Sequence, residues 1–284
     1  MIIVTGGSGK LGHAIVMRLL ERVEPSRLGV SVRDPEKVDD LAKRGVSVRQ
    51  ADFEDASSMR AAFEGATKVI LVSSNAAAFG GDPIAQHRNA ISAARDAGVG
   101  RIFSTSHQAA NPPSAFDPAR DHATTERMLG EAKIPFTSLR NGYYASTVAM
   151  LLGDAVKTGE LKAPEDGKVS WTAPADLAEA AAILATGGGE RIDGPITLTA
   201  AETFDLVAVA ALAAEIFGRP VKRVRVSDED YVAALLARGL PAGAAKLFLS
   251  SFVASRAGEF DCVDPTLQKL LGRQPTPLRD VLAL

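Results

Sequence analysis

Residues 1–4 (Met-Ile-Ile-Val) form an apolar run with no polar interruption, the pattern of a strand buried on both faces. Further short segments rich in Val, Ile, Leu and Phe, several with polar residues among them, read as strands at 29–32, 46–49, 68–72, 101–105 and 136–140. Between them lie stretches with helical spacing at 13–22, 36–43, 57–63, 83–97 and 117–132. Strand and helix therefore alternate over short connections. This predicts an α/β fold, a doubly wound parallel sheet of Rossmann type with six strands. The fourth helix has the clearest punctuation, opened by Asp82-Pro83 and closed by Ala97-Gly98.

Beyond Asn141 the rhythm is less regular. The spacing predicts a helix over 145–157, an extended piece at 169–172, strands at 195–199 and 221–226, and a helix over 204–217. Two or three helices fill the rest. Thr172, followed by Pro174, or else Asp176, is expected to cap the Ala-rich helix that runs to Ala185. The expected organisation is a dinucleotide-binding domain over 1–140 and a smaller substrate lobe over 141–284. Part of 165–200 is expected to return to the first domain.

The first strand runs directly into Thr5-Gly6-Gly7-Ser8-Gly9-Lys10-Leu11-Gly12 and then a helix. A strand, a glycine turn and a helix in that order cradle phosphate. Gly6 allows the tight turn, Gly9 lets backbone approach a pyrophosphate, and Gly12 lets the helix pack closely. The helix N-terminus adds unpaired N–H groups. Lys10 either places a cation near the pyrophosphate or points to solvent.

Strand two ends at Arg33, where an acid would bind the ribose 2′-hydroxyl of NADH and an arginine accommodates the 2′-phosphate of NADPH. Arg33 favours NADPH as cofactor, with NADH the lesser alternative, although the neighbouring Asp34 opposes a phosphate. Asp52, after strand three, meets the adenine amino group or caps the next helix. Ser73, Ser74 and Asn75 follow strand four, and Thr105 ends strand five ahead of Ser106-His107. These small polar residues suit ribose and nicotinamide contacts, and equally turns and caps.

Net charge is −2, which gives no electrostatic reason to expect nucleic acid or an anionic membrane as partner. No apolar run reaches membrane-spanning length, and a strand starting at Met1 leaves no room for a signal peptide, so a cytoplasmic protein is expected. The single cysteine, Cys262, and four scattered histidines (His13, His87, His107 and His122) show no metal-ligand spacing. Neither metal nor flavin is expected. The protein is expected to be a monomer or a homodimer.

Carbonyl reductases of this fold often use a Tyr-x-x-x-Lys pair, and no such pair occurs in the helix after strand five. His122 and Glu126 stand one turn apart there and share a proton, or His122 is a half-exposed helix residue. Without the acid, the site suits electron-poor acceptors such as quinones, whose reduced form is a stabilised phenolate.

The glycine loop, Val32-Arg33-Asp34-Pro35-Glu36-Lys37, Gln50-Ala51-Asp52, Gln86-His87-Arg88-Asn89, Glu126-Arg127-Met128-Leu129 and Leu139-Arg140-Asn141-Gly142-Tyr143-Tyr144 resemble the NmrA-like, atypical short-chain dehydrogenase family. Within it the chain is most similar to type-2 NADPH:quinone oxidoreductases, with triphenylmethane reductases as near relatives. The resemblance implies flavin-free, NADPH-dependent reduction of a quinone-like small molecule in a cleft between two lobes. It implies cofactor contacts from Gly6, Gly9, Lys10, Leu11, Gly12, Arg33, Ser73 and Asn141, Gly142 and Tyr143, with Tyr143 and Tyr144 shaping the pocket. Alternatives are a non-catalytic NADP-binding redox sensor, or a reductase of dyes, azo compounds or enones.

Overall fold

The computed structural model describes residues 1–188 and 192–283. Its first half runs β1 (Ile2–Thr5), α1 (Lys10–Leu20), β2 (Leu28–Val32), α2 (Asp39–Lys43), β3 (Ser47–Gln50), α3 (Ala56–Phe63), β4 (Lys68–Leu71), α4 (Pro83–Asp96), β5 (Arg101–His107), α5 (Asp117–Glu131) and β6 (Phe136–Asn141). The second half adds α6 (Ser146–Leu152), α7 (Ala155–Thr158), β7 (Glu160–Ala163), α8 (Pro174–Thr186), β8 (Gly194–Leu198), α9 (Leu206–Phe217), β9 (Lys222–Arg225), α10 (Asp228–Ala237), α11 (Ala242–Arg256), α12 (Thr266–Leu271) and α13 (Leu278–Leu282).

Seven strands form one parallel sheet in the order β3-β2-β1-β4-β5-β6-β8. This is the expected Rossmann-type sheet, with β8 from the second half as its seventh strand. Alternation along β1 sends Ile2 and Val4 to one face and Ile3 to the other. On the first face, Ile15, Val16 and Leu19 of α1 pack with Leu177, Ala181 and Ala185 of α8. On the second, Met59 and Phe63 of α3 pack with Ala90, Ala94 and Leu129 of α4 and α5. A third core, around Val148, Trp171, Val209, Phe252 and Phe260, holds the second lobe, where β7 pairs with β9 in a separate two-stranded sheet. No helix among the described residues is long and apolar enough to cross a membrane.

The helix expected over 145–157 is broken at Gly153 (φ +41), which separates α6 from α7. Strand β7 was not expected; it is short and only half buried. The stretch 169–172 makes isolated bridges, Tyr144 to Thr172 and Val169 to Phe204, and no strand. Neither Thr172 nor Asp176 caps α8, whose N-cap is Ala173 with no side-chain bond. Thr172 instead accepts the amide of Ala200, and the fully buried Asp176 accepts the amide of Thr276 (2.6 Å) and pairs with Arg273 (2.8 Å). Asp176 thus ties the C-terminal segment onto α8.

Candidate active site

The chain leaves β1 toward β2 on one side and joins β4 on the other, so a crevice opens at the carboxyl ends of β1 and β4. Thr5 closes its floor. Its hydroxyl accepts from Val72 N (2.9 Å) and donates to Val72 O (3.3 Å). Above Thr5 the glycine loop turns: Gly6 sits at φ +63, donates to Ser31 O, and its carbonyl accepts from Gly9 N, both at 2.9 Å. The left-handed φ favours glycine at this position.

The other glycines differ in their reasons. A Cβ on Gly7 would lie 1.8 Å from Val30 Cγ2, and one on Gly12 would lie 2.3 Å from Gly6 O. Gly7 therefore makes the close approach to the sheet, whereas Gly12 makes room for the loop's own backbone. A Cβ on Gly9 would meet only Gly6 O at 3.3 Å. Nothing in the fold requires glycine there beyond that contact. Gly9 is also the N-cap of α1, with no side-chain acceptor and no acid in the first turn. The first-turn amides, from Lys10 onward, lack a side-chain partner and stand at the positive end of the helix. Lys10 is exposed and carries no ion pair among the described residues.

Arg33 follows β2 and is exposed, without a side-chain partner among the described residues. Asp34, which would oppose an anion, is engaged by Lys37 (3.5 Å) and by Glu36 N (3.3 Å). Asp52 does not cap α3; that role falls to Asp55, which accepts from Ser57 N and Ser58 N. Asp52 holds a turn through Oδ1, which accepts from Glu54 N (3.0 Å). At the ends of β4 and β5, Ser73 N donates to Thr105 Oγ1 (2.9 Å), and the Thr105 hydroxyl donates to Ser73 Oγ (3.1 Å). Ser74 N donates to His87 Nε2 (2.9 Å), and Asn75 is exposed at the start of the following turn.

Asn141 ends β6 in register with His107 at the end of β5, and its Oδ1 is buried without a partner. Gly142 is glycine for packing, since a Cβ would lie 2.1 Å from Thr172 Oγ1. Tyr143 turns into an aromatic cluster with His107, Phe116, Trp171 and Phe260, at ring-centre distances of 5.2–5.7 Å. Burial pushes its phenol up from the usual value, a hydrogen bond with Ser251 offsetting part of the effect. Tyr143 therefore stays protonated at neutral pH. Beside it, Trp171, Phe248, Phe252 and Phe260 line an apolar cavity of about 20 Å³. That volume admits one water, not an acceptor ring.

Three of the four histidines, scattered in sequence, gather in space. His87 is buried, accepts from Ser74 N through Nε2 and donates from Nδ1 to Thr125 Oγ1 (2.8 Å), so the loop after β4 is latched to α5. Burial first, and nearby His122 second, pull His87 and His107 down to about 3. Burial alone pulls His122 to about 4. All three are neutral near pH 7. His122 and Glu126 do not form the expected proton-sharing pair. Glu126 accepts from Ser106 Oγ (2.8 Å), Ser138 Oγ (2.9 Å) and Arg140 Nε (2.9 Å), while His122 Nδ1 is buried without a partner. Sequence reasoning missed Thr5 and the His87 latch. A hydroxyl at the last position of β1 was the only local sign of the first.

The NmrA-like family model matches residues 1–278. This chain belongs to the NmrA-like family. It is 36% identical to quinone oxidoreductase 2 of Escherichia coli (strain K12) over 285 residues, 99% of this chain and 96% of that protein. The crystal structure of the NADPH-dependent quinone oxidoreductase from E. coli complexed with NADPH superposes with a TM-score of 0.93 and 34% identity, covering 100% and 99% of the two chains. Citrobacter sp. triphenylmethane reductase complexed with NADP(H) superposes with a TM-score of 0.89 and 30% identity, covering both chains fully.

Proposed function

We propose that this chain is an NADPH-dependent reductase of quinones or dyes, passing hydride directly to its acceptor without flavin or metal. The carrying observation is that an E. coli quinone oxidoreductase holding NADPH matches the entire chain, glycine loop and second lobe included. The loop chemistry supports the same cofactor. The uncapped start of α1, the missing side chain at Gly9, and the exposed Lys10 and Arg33, unpaired among the described residues, form a complementary set for a pyrophosphate and a 2′-phosphate.

Gly6, Gly9, Lys10, Leu11 and Gly12 would hold the pyrophosphate, and Arg33 the 2′-phosphate. Asp52 keeps Oδ2 free for the adenine amino group. Ser73, Ser74, Asn75 and Thr105 would meet the ribose and nicotinamide, with Asn141, Gly142 and Tyr143 on the opposite rim. NADPH supplies the hydride when bound. The chain's own contribution is to orient the acceptor against Tyr143, exclude water and remain uncharged beside the reacting ring. The cofactor part spans 1–140 and the acceptor part 141–284, with residues of 165–200 belonging to both.

Purified protein mixed with NADPH and a panel of quinones and triphenylmethane dyes tests the reading through loss of NADPH absorbance. Turnover of at least one class is expected. Tight NADPH binding without turnover of any acceptor would overturn it in favour of a redox sensor.

A further inference from the structure

We propose that His107 donates a hydrogen bond from Nε2 to the quinone oxygen on which negative charge develops during reduction, an assignment that rests on the function proposed above. His107 Nδ1 accepts from Ala109 N at 3.1 Å, so the single proton of the neutral ring sits on Nε2. The ring cannot swing freely. Ala110 N donates to the His107 carbonyl (2.8 Å), and Gln108 bridges to Phe260 O (3.1 Å) and the Ser170 hydroxyl (2.6 Å). Phe116, Tyr143 and Phe260 enclose it at 5.0–5.7 Å.

There Nε2 is buried and has no partner among the described residues. A buried donor without an acceptor destabilises a fold, and such groups call for an explanation. His107 lies at the carboxyl edge of the sheet, where open α/β folds bind ligands, and because the cavity beside Tyr143 admits only a water as it stands, the acceptor oxygen reaches Nε2 when Tyr143 or Phe116 turns aside. Because the ring stays neutral, it donates a hydrogen bond without giving up its proton. The acceptor gains two electrons and one proton as hydride, the nicotinamide being oxidised. The electron pair settles on a quinone oxygen, giving the hydroquinone monoanion. Nε2–H stabilises that oxygen, and water then supplies the second proton.

A triphenylmethane dye cation distinguishes this role from a structural one. It takes hydride at its central carbon and becomes neutral, so no oxyanion forms. The parent, His107→Phe and His107→Gln are compared with menadione and with malachite green. Removing one preorganised donor to an oxyanion costs about 10²–10³ in kcat. His107→Phe, which keeps the ring packing, is therefore expected to lose at least about tenfold more kcat with menadione than with the dye. His107→Gln restores a donor and is expected to recover part of the difference. Equal losses on both acceptors, or no loss, would overturn the proposal.

A second measurement does not depend on turnover. In protein with ¹⁵N-labelled histidine and bound NADP⁺, His107 Nε2 is expected to be protonated and to shift when menadione is added. An unmoved Nε2 resonance would mean that the ring faces alone hold His107, and the proposal fails. If the parent reduces neither acceptor, the proposed function fails while this arm still decides the role of His107; if it reduces only menadione, this arm likewise decides.

Discussion

The carboxylate of Glu126 meets the guanidinium of Arg140 at 2.6 Å, although His122 stands one turn before it on the same helix. The pair is partly buried, the Glu126 side chain being 9% exposed, and Ser106 and Ser138 complete the carboxylate's shell. Glu126 is thus a structural anion bridging α5 to β5 and β6.

Glu126→Leu would leave Arg140 without its partner, and a broken buried pair costs about 3–5 kcal/mol. The lower end is expected, because Arg140 keeps some solvent contact. Chemical denaturation should show it. His122→Ala, by contrast, is expected to lower quinone turnover by less than about tenfold, since general acid catalysis is worth about 10²–10⁴ where it operates. A larger loss would make His122 the proton donor.

Tyr143→Ala is expected to impair quinone turnover more than His122→Ala, through lost positioning of the acceptor. Tyr143→Phe keeps the ring among His107, Phe116 and Phe260 and should retain most of the activity. Steady-state kinetics of the three variants check the order.

The exposed Arg33 side chain has no partner among the described residues, so its guanidinium is available to a 2′-phosphate. NADPH is expected to bind at least about tenfold more tightly than NADH, since hydrogen bonds to charged groups contribute about 1.5–3 kcal/mol. Arg33→Asp should erase or invert the preference. Fluorescence titration of both cofactors measures it, and equal affinities in the parent would refute the assignment.

Gly9 and Gly12 should separate cleanly. Gly9→Val meets only Gly6 O, at 3.3 Å from its Cβ, and is expected to abolish NADPH binding with a smaller change in melting temperature than Gly12→Ala. Gly12→Ala drives a methyl group to 2.3 Å from Gly6 O and should destabilise the protein itself. Calorimetry with and without NADPH distinguishes the two outcomes.

The buried histidines make stability depend on pH. His87, His107 and His122 have ordinary values of 6.5 when unfolded and about 3, 3 and 4 when folded. Protonation therefore favours the unfolded chain. Their contribution is complete above pH 6.5 and is lost as pH falls toward 4. With three protons taken up on unfolding, stability should fall by up to about 4 kcal/mol per pH unit below pH 6. Melting curves at pH 5 to 8 should be flat at the upper end and drop steeply at the lower. His87→Gln is expected to shallow the drop.

The first half of the fold was legible because short strand segments rich in branched apolar residues alternate regularly with helical spacing, and Asp82-Pro83 announces a helix locally. β7 was missed because a short, half-buried strand such as Glu-Leu-Lys-Ala has no such run. Asp176 misled because the residue type that caps a helix also suits a distant amide, here that of Thr276. The glycine loop declared itself by spacing, whereas the different duties of Gly7, Gly9 and Gly12 depend on what surrounds each one. The unpartnered Nε2 of His107 is a property of neighbours far apart in the chain, so no local pattern carried it.

Helix α1 begins at the phosphate loop, and its Ile15, Val16 and Leu19 lie against α8. A chain ending at residue 140 would leave the α8-facing side of those residues uncovered, and with it part of the sheet face they share. The glycine loop therefore leans on the second half of the chain: during synthesis its helix gains its full packing only when α8 has emerged and returned to lie against it.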